Sequence, residues 1–205
     1  MPTFYELFRE CATRWPDNIA LEIQRRDRVE SNTYDEARRM AESIGRWLTE
    51  SGFQPGARVA ILADNHPRWI TAYLGIIAAG CAAVPLDTAF HADQVAKLLK
   101  DSGASLLFCD VRHLAVAQKA VEGVSVQILL TDSAELRSAR QPGAAVPTQA
   151  NLDSIFAAGP GNFVPAFSKG DDLASLLYTS GTTANAVISR SASARSNSVV
   201  FRVSR

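Results

Sequence analysis

"ARVAILADNHPRWITAYLGIIAAGCAAVPL" occupies Ala57–Leu86, and its reading decides the fold. "ARVAIL" (Ala57–Leu62) is a short apolar run of strand type. In "DNHPRW", Asn65 is read as the N-cap of a helix and Pro67 falls in its first turn, where a missing N–H costs nothing. The helix runs to about Ala79 and stops at Gly80, and "CAAVPL" is a second strand. The same alternation continues outward on the C-terminal side. "HADQVAKLLKDSG" reads as a helix ending at Gly103, and "SLLFCD" as a strand. Val111–Glu122 reads as a helix closed by Gly123, and "VSVQILL" as a fourth strand. On the N-terminal side, Thr33-Tyr34-Asp35-Glu36 is a capping box. Ala37, Met40, Ala41, Ile44 and Trp47 or Leu48 then recur at helical spacing up to Gly52. The strands are apolar throughout, not alternating in polarity. The expected fold class is therefore α/β, a partial doubly wound sheet, mostly parallel, with helices on both faces.

The chain has 205 residues, 47% hydrophobic and 20% charged, which suits a globular protein with a sizeable core. Lys and Arg number 21 against 21 Asp and Glu. Arg190, Arg195, Arg202 and Arg205 follow residue 183 without an acid, so residues 1–183 hold 17 bases against 21 acids. No basic field for nucleic acid is indicated. The N-terminus lacks a secretory pattern, no stretch is long and apolar enough to span a bilayer, and a cytoplasmic setting is the default. Cys81 and Cys109 lie in apolar runs and suit buried thiols, whereas Cys11 stands apart. His66, His91 and His113 show no metal-ligand spacing. Trp69, Tyr73 and Leu74 read as core packing, His66 as a helix-start residue, and Asp87 and Asp110 as turn or cap residues. "EIQRRDRVE" reads as a solvated hairpin. From Arg137 to Asp172 the order dissolves into Pro-, Gly- and Ala-rich sequence, expected to be mostly loop. "DLASLLYTS" resumes as a strand.

After that strand, "YTSGTT" (Tyr178–Thr183) packs hydroxyls and a glycine into one turn. Backbone N–H groups in such a turn can form an anion nest, and Gly181 permits close backbone approach. A polar turn with no ligand has the same composition. No Gly-Lys-Ser/Thr follows, so it is not a Walker loop. Open α/β sheets bind ligands at the carboxyl ends of their strands, where this loop is expected to sit.

"LLYTSGTT" resembles the opening of the phosphate loop of the adenylate-forming superfamily, which includes acyl-CoA synthetases, luciferases and nonribosomal peptide synthetase adenylation domains. "TYDEARRMAESIGRWLTESGFQPGARVAILADNHPRW", "AYLGIIAAGCAAVPLD" and "LLKDSGASLLFCD" resemble its upstream elements in order and spacing, with Ala57 in place of the usual Asp. "DNHPRW" looks most like the "ENRPEW" element of the long-chain fatty acyl branch. The resemblance covers about residues 4–183. It implies ATP-dependent activation of a fatty acid as an acyl adenylate, with Mg2+, then thioester formation on CoA. It also implies that Thr179, Ser180, Gly181, Thr182 and Thr183 contact the ATP β- and γ-phosphates. Peripheral membrane association is possible for that branch.

The resemblance stops at Ala184-Asn185-Ala186, where the family continues Gly-x-Pro-Lys-Gly. Residues 184–205 form a tail rich in Ser and Arg without one acid, a bias that a shifted reading frame or translated vector produces. The expected domains are residues 1–183, the N-terminal part of an AMP-binding domain, and a disordered tail, 184–205. The catalytic parts implied downstream are not in these residues, so the expectation is a ligase fragment without activity of its own and with no catalytic residue of its own. A non-catalytic fragment that pairs with a full-length synthetase, and a weak nucleotide-binding module, are the rival readings. Leu173–Tyr178 is expected to be left as an open sheet edge. The result would be association of chains or, alternatively, occupation of that edge by "SVVFRV" (Ser198–Val203).

Overall fold

The computed structural model describes residues 3–24, 28–132, 151–167 and 172–178, and the backbone of Ala186–Arg190. The chain opens with α1 (Phe4–Arg14), capped by Thr3 in a capping box with Glu6. An antiparallel hairpin follows, β1 (Ile19–Gln24) with β2 (Val29–Thr33). It bears out the solvated-hairpin reading in the residues described on either side of the turn. Thr33 then caps α2 (Tyr34–Glu50) through the capping box read from the sequence.

Beyond α2, strands and helices alternate as expected. β3 (Arg58–Leu62), α3 (Pro67–Ala78), β4 (Ala82–Pro85), α4 (Ala92–Ser102), β5 (Leu106–Cys109), α5 (Leu114–Ala120) and β6 (Gln127–Leu130) follow in order. α6 (Leu152–Ala158), β7 (Leu173–Tyr178) and β8 (Ala186–Arg190) come after. The main sheet has the order β6-β5-β3-β4-β7-β8. β3 to β7 are parallel, and β8 runs antiparallel to β7.

The uniformly apolar strands are explained by two packed faces. Val59, Ile61, Ala83, Leu106, Phe108 and Leu129 meet Ile44 and Leu48 of α2, Ala72 and Ile76 of α3, and Leu152 and Ile155 of α6. Ala60, Leu62, Val84, Leu107, Cys109, Ile128 and Leu130 meet Val95, Leu98 and Leu99 of α4 and Leu114, Ala117 and Ala120 of α5. Neighbouring strand residues thus alternate between two cores, the arrangement of a doubly wound sheet.

α2 and α3 cross at very close range. A Cβ at Gly75 would stand 2.6 Å from Ile44 Cβ and 2.7 Å from the Ala41 carbonyl oxygen. Glycine inside a helix costs about 1 kcal/mol relative to alanine. Here it is what lets two helix backbones touch.

Four details differ from the sequence reading. His66, not Asn65, caps α3, because its ring accepts from the Arg68 N–H at 3.0 Å. α5 is shorter than Val111–Glu122, since Val111–His113 form a turn held by Asp110 and Asp132. The stretch from Arg137 to Asp172 contains α6, whose Leu152 and Ile155 are buried. β7 is not an open edge, because β8 pairs with it from Leu173–Arg190 to Tyr178–Ala186. "SVVFRV" lies outside the described residues, as does the rest of the tail beyond β8. No helix among the described residues is long and apolar enough to cross a membrane.

Candidate functional site

The carboxyl ends of β3, β5 and β6 surround a cleft of about 380 Å³. Asp64, Asn65, His66, Arg68, Trp69, Asp110, Arg112, Thr131 and Asp132 are among the residues that line it. Asp110, directly after β5, organises this edge. One carboxylate oxygen accepts the Asp64 N–H at 2.8 Å, and the other accepts the His113 N–H at 2.9 Å. The second oxygen also faces His113 Nδ1 at 2.6 Å. Asp110 therefore caps the turn into α5 and ties β3 to β5, which is the cap role read from the sequence. Asp132 accepts the Val111 N–H, and Arg112 pairs with Asp64. Asp87 likewise serves a turn, accepting the Ala89 N–H at 2.9 Å.

Arg68 stands at one wall of the cleft. Its guanidinium donates to the Thr131 carbonyl at 2.9 Å and to Asp153 at 2.6 Å, and lies 5.5 Å over the Phe156 ring. It thereby fastens α6 to the end of β6. Trp69 stacks on Tyr73 with ring centroids 5.6 Å apart, while Leu74 is fully buried. These three bear out the packing role.

Among the described residues, Asp64, Asp110 and His113 could together face a cation, with one ligand atom of each within 4.8 Å of the others. Their oxygens are already engaged by backbone N–H groups, by His113 and by Arg112, so the cluster holds this sheet edge together. The Cys109 thiol is fully buried. Burial first, then Asp110 and Asp132, push its pKa far upward. Burial likewise raises the Cys81 thiol to about 11.

The sequence reading also singles out the residues that follow β7. Thr179, Ser180, Gly181, Thr182 and Thr183 lie outside the described residues. Tyr178, immediately before them, is described. Its hydroxyl donates to Asp101 Oδ2 on α4 at 2.7 Å. Burial, then the bond to Asp101, push its pKa up to about 12. β7 is registered to β4 by the pair Ala83–Ser175, and the Ser175 hydroxyl adds a bond to the Ala83 carbonyl at 3.1 Å. β7 therefore sits beyond β4, away from the β3-β5-β6 cleft, and Tyr178 is not among the residues lining it. Sequence reasoning missed Asp101 and Arg68, because nothing in a helix sequence announces a partner far away in the chain.

The protein-family model of the AMP-binding enzymes matches residues 8–186. The chain belongs to the AMP-binding enzyme family. Tyrocidine synthase 3 of Brevibacillus parabrevis is 33% identical over 182 residues, covering 88% of this chain and 2% of that protein. The Brucella canis acyl-CoA synthetase structure superposes with a TM-score of 0.74 at 24% identity, over 89% of this chain and 33% of that one. The nonribosomal peptide synthetase FmoA3 superposes with a TM-score of 0.67 at 27% identity, over 93% of this chain and 17% of that one. The chain thus spans about a third or less of the length of these relatives. Its sheet is the N-terminal part of the adenylate-forming fold, and peptide synthases and acyl-CoA synthetases share it.

Proposed function

We propose that these residues form the opening part of a carboxylate-adenylating domain, and that Thr179, Ser180, Gly181, Thr182 and Thr183 grip the β- and γ-phosphates of ATP. The observation that supports this reading is the family match through residue 186, with "TSGTT" following the β7 residues in the sequence. The chemistry follows from the substrate. A carboxylate has no good leaving group, so AMP is joined to it and pyrophosphate is expelled. The loop's part is to hold the pyrophosphoryl oxygens as charge develops on them. Hydroxyl and N–H donors suit phosphate oxygens. They offer no anionic oxygen to Mg2+, so the magnesium that accompanies ATP takes its acid ligands from elsewhere.

The acid is an amino acid or a fatty acid. The 33% identity to a peptide synthase favours an amino acid. The fatty-acid reading, with CoA as the second substrate, rests on Asp64–Trp69, "DNHPRW", and its likeness to the long-chain element. A protein of these 205 residues is expected to bind ATP without turning it over. After Thr183 it holds neither a lysine nor an acid. Each absent charge-stabilising group costs about 10²–10³ in rate.

The test is ATP–pyrophosphate exchange with amino-acid and fatty-acid panels, beside ATP binding by calorimetry. The expected result is no exchange above background and a Kd in the millimolar range, about −4 kcal/mol. Gly181→Val is expected to abolish the binding. Exchange by the 205-residue protein overturns the inactivity, and ATP binding unchanged in Gly181→Val overturns the loop assignment.

A further inference from the structure

The geometry points to a second ligand site, in the cleft between the carboxyl ends of β3 and β5, that takes a neutral planar heterocycle of the nucleobase kind. It lies apart from the residues following β7 and does not rest on the phosphate reading.

Strand order places the site. β3 and β5 are neighbours in the sheet. The chain leaves β3 into α3, which packs on the face that holds Val59 and Ile61. It leaves β5 into α5, which packs on the opposite face with Ala60 and Leu62. The two connections part in opposite directions, and open α/β sheets bind ligands where adjacent connections diverge in this way. The cleft of about 380 Å³ opens at that divergence, between Asp64 after β3 and Asp110 after β5. Its volume falls in the range of small-molecule sites.

The charges around the cleft are already engaged. Arg112 pairs with Asp64, Arg68 with Asp153, and Asp110 faces His113. Asp132 accepts the Val111 N–H. A charged ligand would have to break one of these contacts to be held, so the groups left over decide the ligand, and they are neutral. Among the described residues, the Thr131 hydroxyl, the Asn65 amide and the Trp69 indole N–H have no hydrogen-bond partner, and all three residues line the cleft. Thr131 is only 4% exposed. A polar group so withdrawn from solvent gains from a ligand that bonds to it.

The Asn65 amide presents a donor and an acceptor side by side, the complement of the paired donor and acceptor on the edge of a nucleobase. Trp69 supplies an aromatic wall, held in place by its stacking on Tyr73 with centroids 5.6 Å apart. Flat rings pack well on such a wall. An amide, a hydroxyl and an aromatic wall together select a flat, uncharged ring with hydrogen-bonding edges.

The experiment titrates adenine and uracil into the 205-residue protein, read by tryptophan fluorescence, with benzyl alcohol as a ring that lacks the paired edge. Both bases are expected to quench with a Kd of about 1 mM, and benzyl alcohol to bind about fivefold more weakly. Thr131→Val and Asn65→Ala are each expected to weaken base binding about fivefold. Their melting temperatures should match the parent, since neither side chain bonds to the protein. Trp69→Phe is expected to remove the quenching while Trp15 and Trp47 still fluoresce. Gly181→Val is expected to leave base binding unchanged. No quenching by either base overturns the site. Equal binding of the bases and benzyl alcohol overturns the ligand class. Parent affinity in both Thr131→Val and Asn65→Ala overturns the placement in this cleft. Loss of base binding in Gly181→Val assigns the bases to the residues after β7 and likewise overturns it.

Discussion

β3 and β7 are neighbours but one in the same sheet, and they are held in different ways. β3 is registered along its length on both sides, from Arg58–Ala82 to Ile61–Pro85 and from Val59–Leu106 to Leu62–Cys109. Val59, Ala60, Ile61 and Leu62 are all fully buried. β7 is registered to β4 at Ala83–Ser175 alone and to β8 from Leu173 to Tyr178, with Ser175 and Tyr178 adding side-chain bonds and Leu176 buried in the core. One strand is paired on both sides and fully buried from Val59 to Leu62. The other is registered to β4 at a single position, has a buried centre at Ala174–Leu176, and is the one that leads into the proposed phosphate loop. Ligand-binding segments are commonly drawn from the less stable end of a fold.

Substitutions should separate the two regimes. The largest effect is expected in the β3–β5 half. Phe108 is fully buried in β5, and Phe108→Ala should cost about 4 kcal/mol by denaturant unfolding. A loss below about 1 kcal/mol would mean this half is not the tightly packed one. Next comes Gly75→Ala, where the added methyl meets the Ala41 carbonyl and Ile44 of α2. Better helix propensity offsets part of the clash, and a net loss of about 2 kcal/mol is expected in the same assay.

Ser175→Ala should cost less, about 1 kcal/mol, since it removes the bond to the Ala83 carbonyl. Its signature is local. Hydrogen exchange should speed up in Leu176–Tyr178 and stay unchanged in β3. Uniform acceleration across the sheet would erase the distinction drawn here.

The smallest effect is one of pH. Tyr178 has a folded pKa raised from 10.0 to about 12. A raised pKa means the folded state holds the proton more tightly. The resulting stability is fully present below pH 10 and is lost as pH rises from 10 through about 12. A spectrophotometric titration should show one tyrosine ionising near 12, absent from Tyr178→Phe and shifted downward in Asp101→Ala. Ionisation of Tyr178 at its ordinary pKa would remove the bond to Asp101 from the account.

The strands were legible in both halves, β7 in "DLASLLYTS" included. "ARVAIL", "CAAVPL", "SLLFCD" and "VSVQILL" all contain strands, because a strand buried on both faces leaves an apolar run that needs no partner to be recognised. Their ends proved shorter than read, since backbone pairing and not hydrophobicity decides where a strand stops. The capping box at Thr33 was legible because its partners lie three residues apart. α1 was not read at all. α6 was hidden by a setting rich in Gly, Pro and Ala, and its place is settled by Arg68, 85 positions away from Asp153. The hydroxyls and glycine of Thr179–Thr183 stand out in sequence, whereas Asp101 carries no local sign of its bond to Tyr178. Residues that act through distant neighbours become visible only once the chain has been folded.

The strand order also bears on how the protein emerges during synthesis. β3, β4, β5 and β6, with α3, α4 and α5 between them, are complete once residue 130 has been made. Their pairings join segments close in the chain, so loop closure delays them little. β7 must find Ala83 from a position 92 residues later. A nascent chain can therefore settle its inner sheet before β7 leaves the ribosome. β7 then docks onto a template already formed.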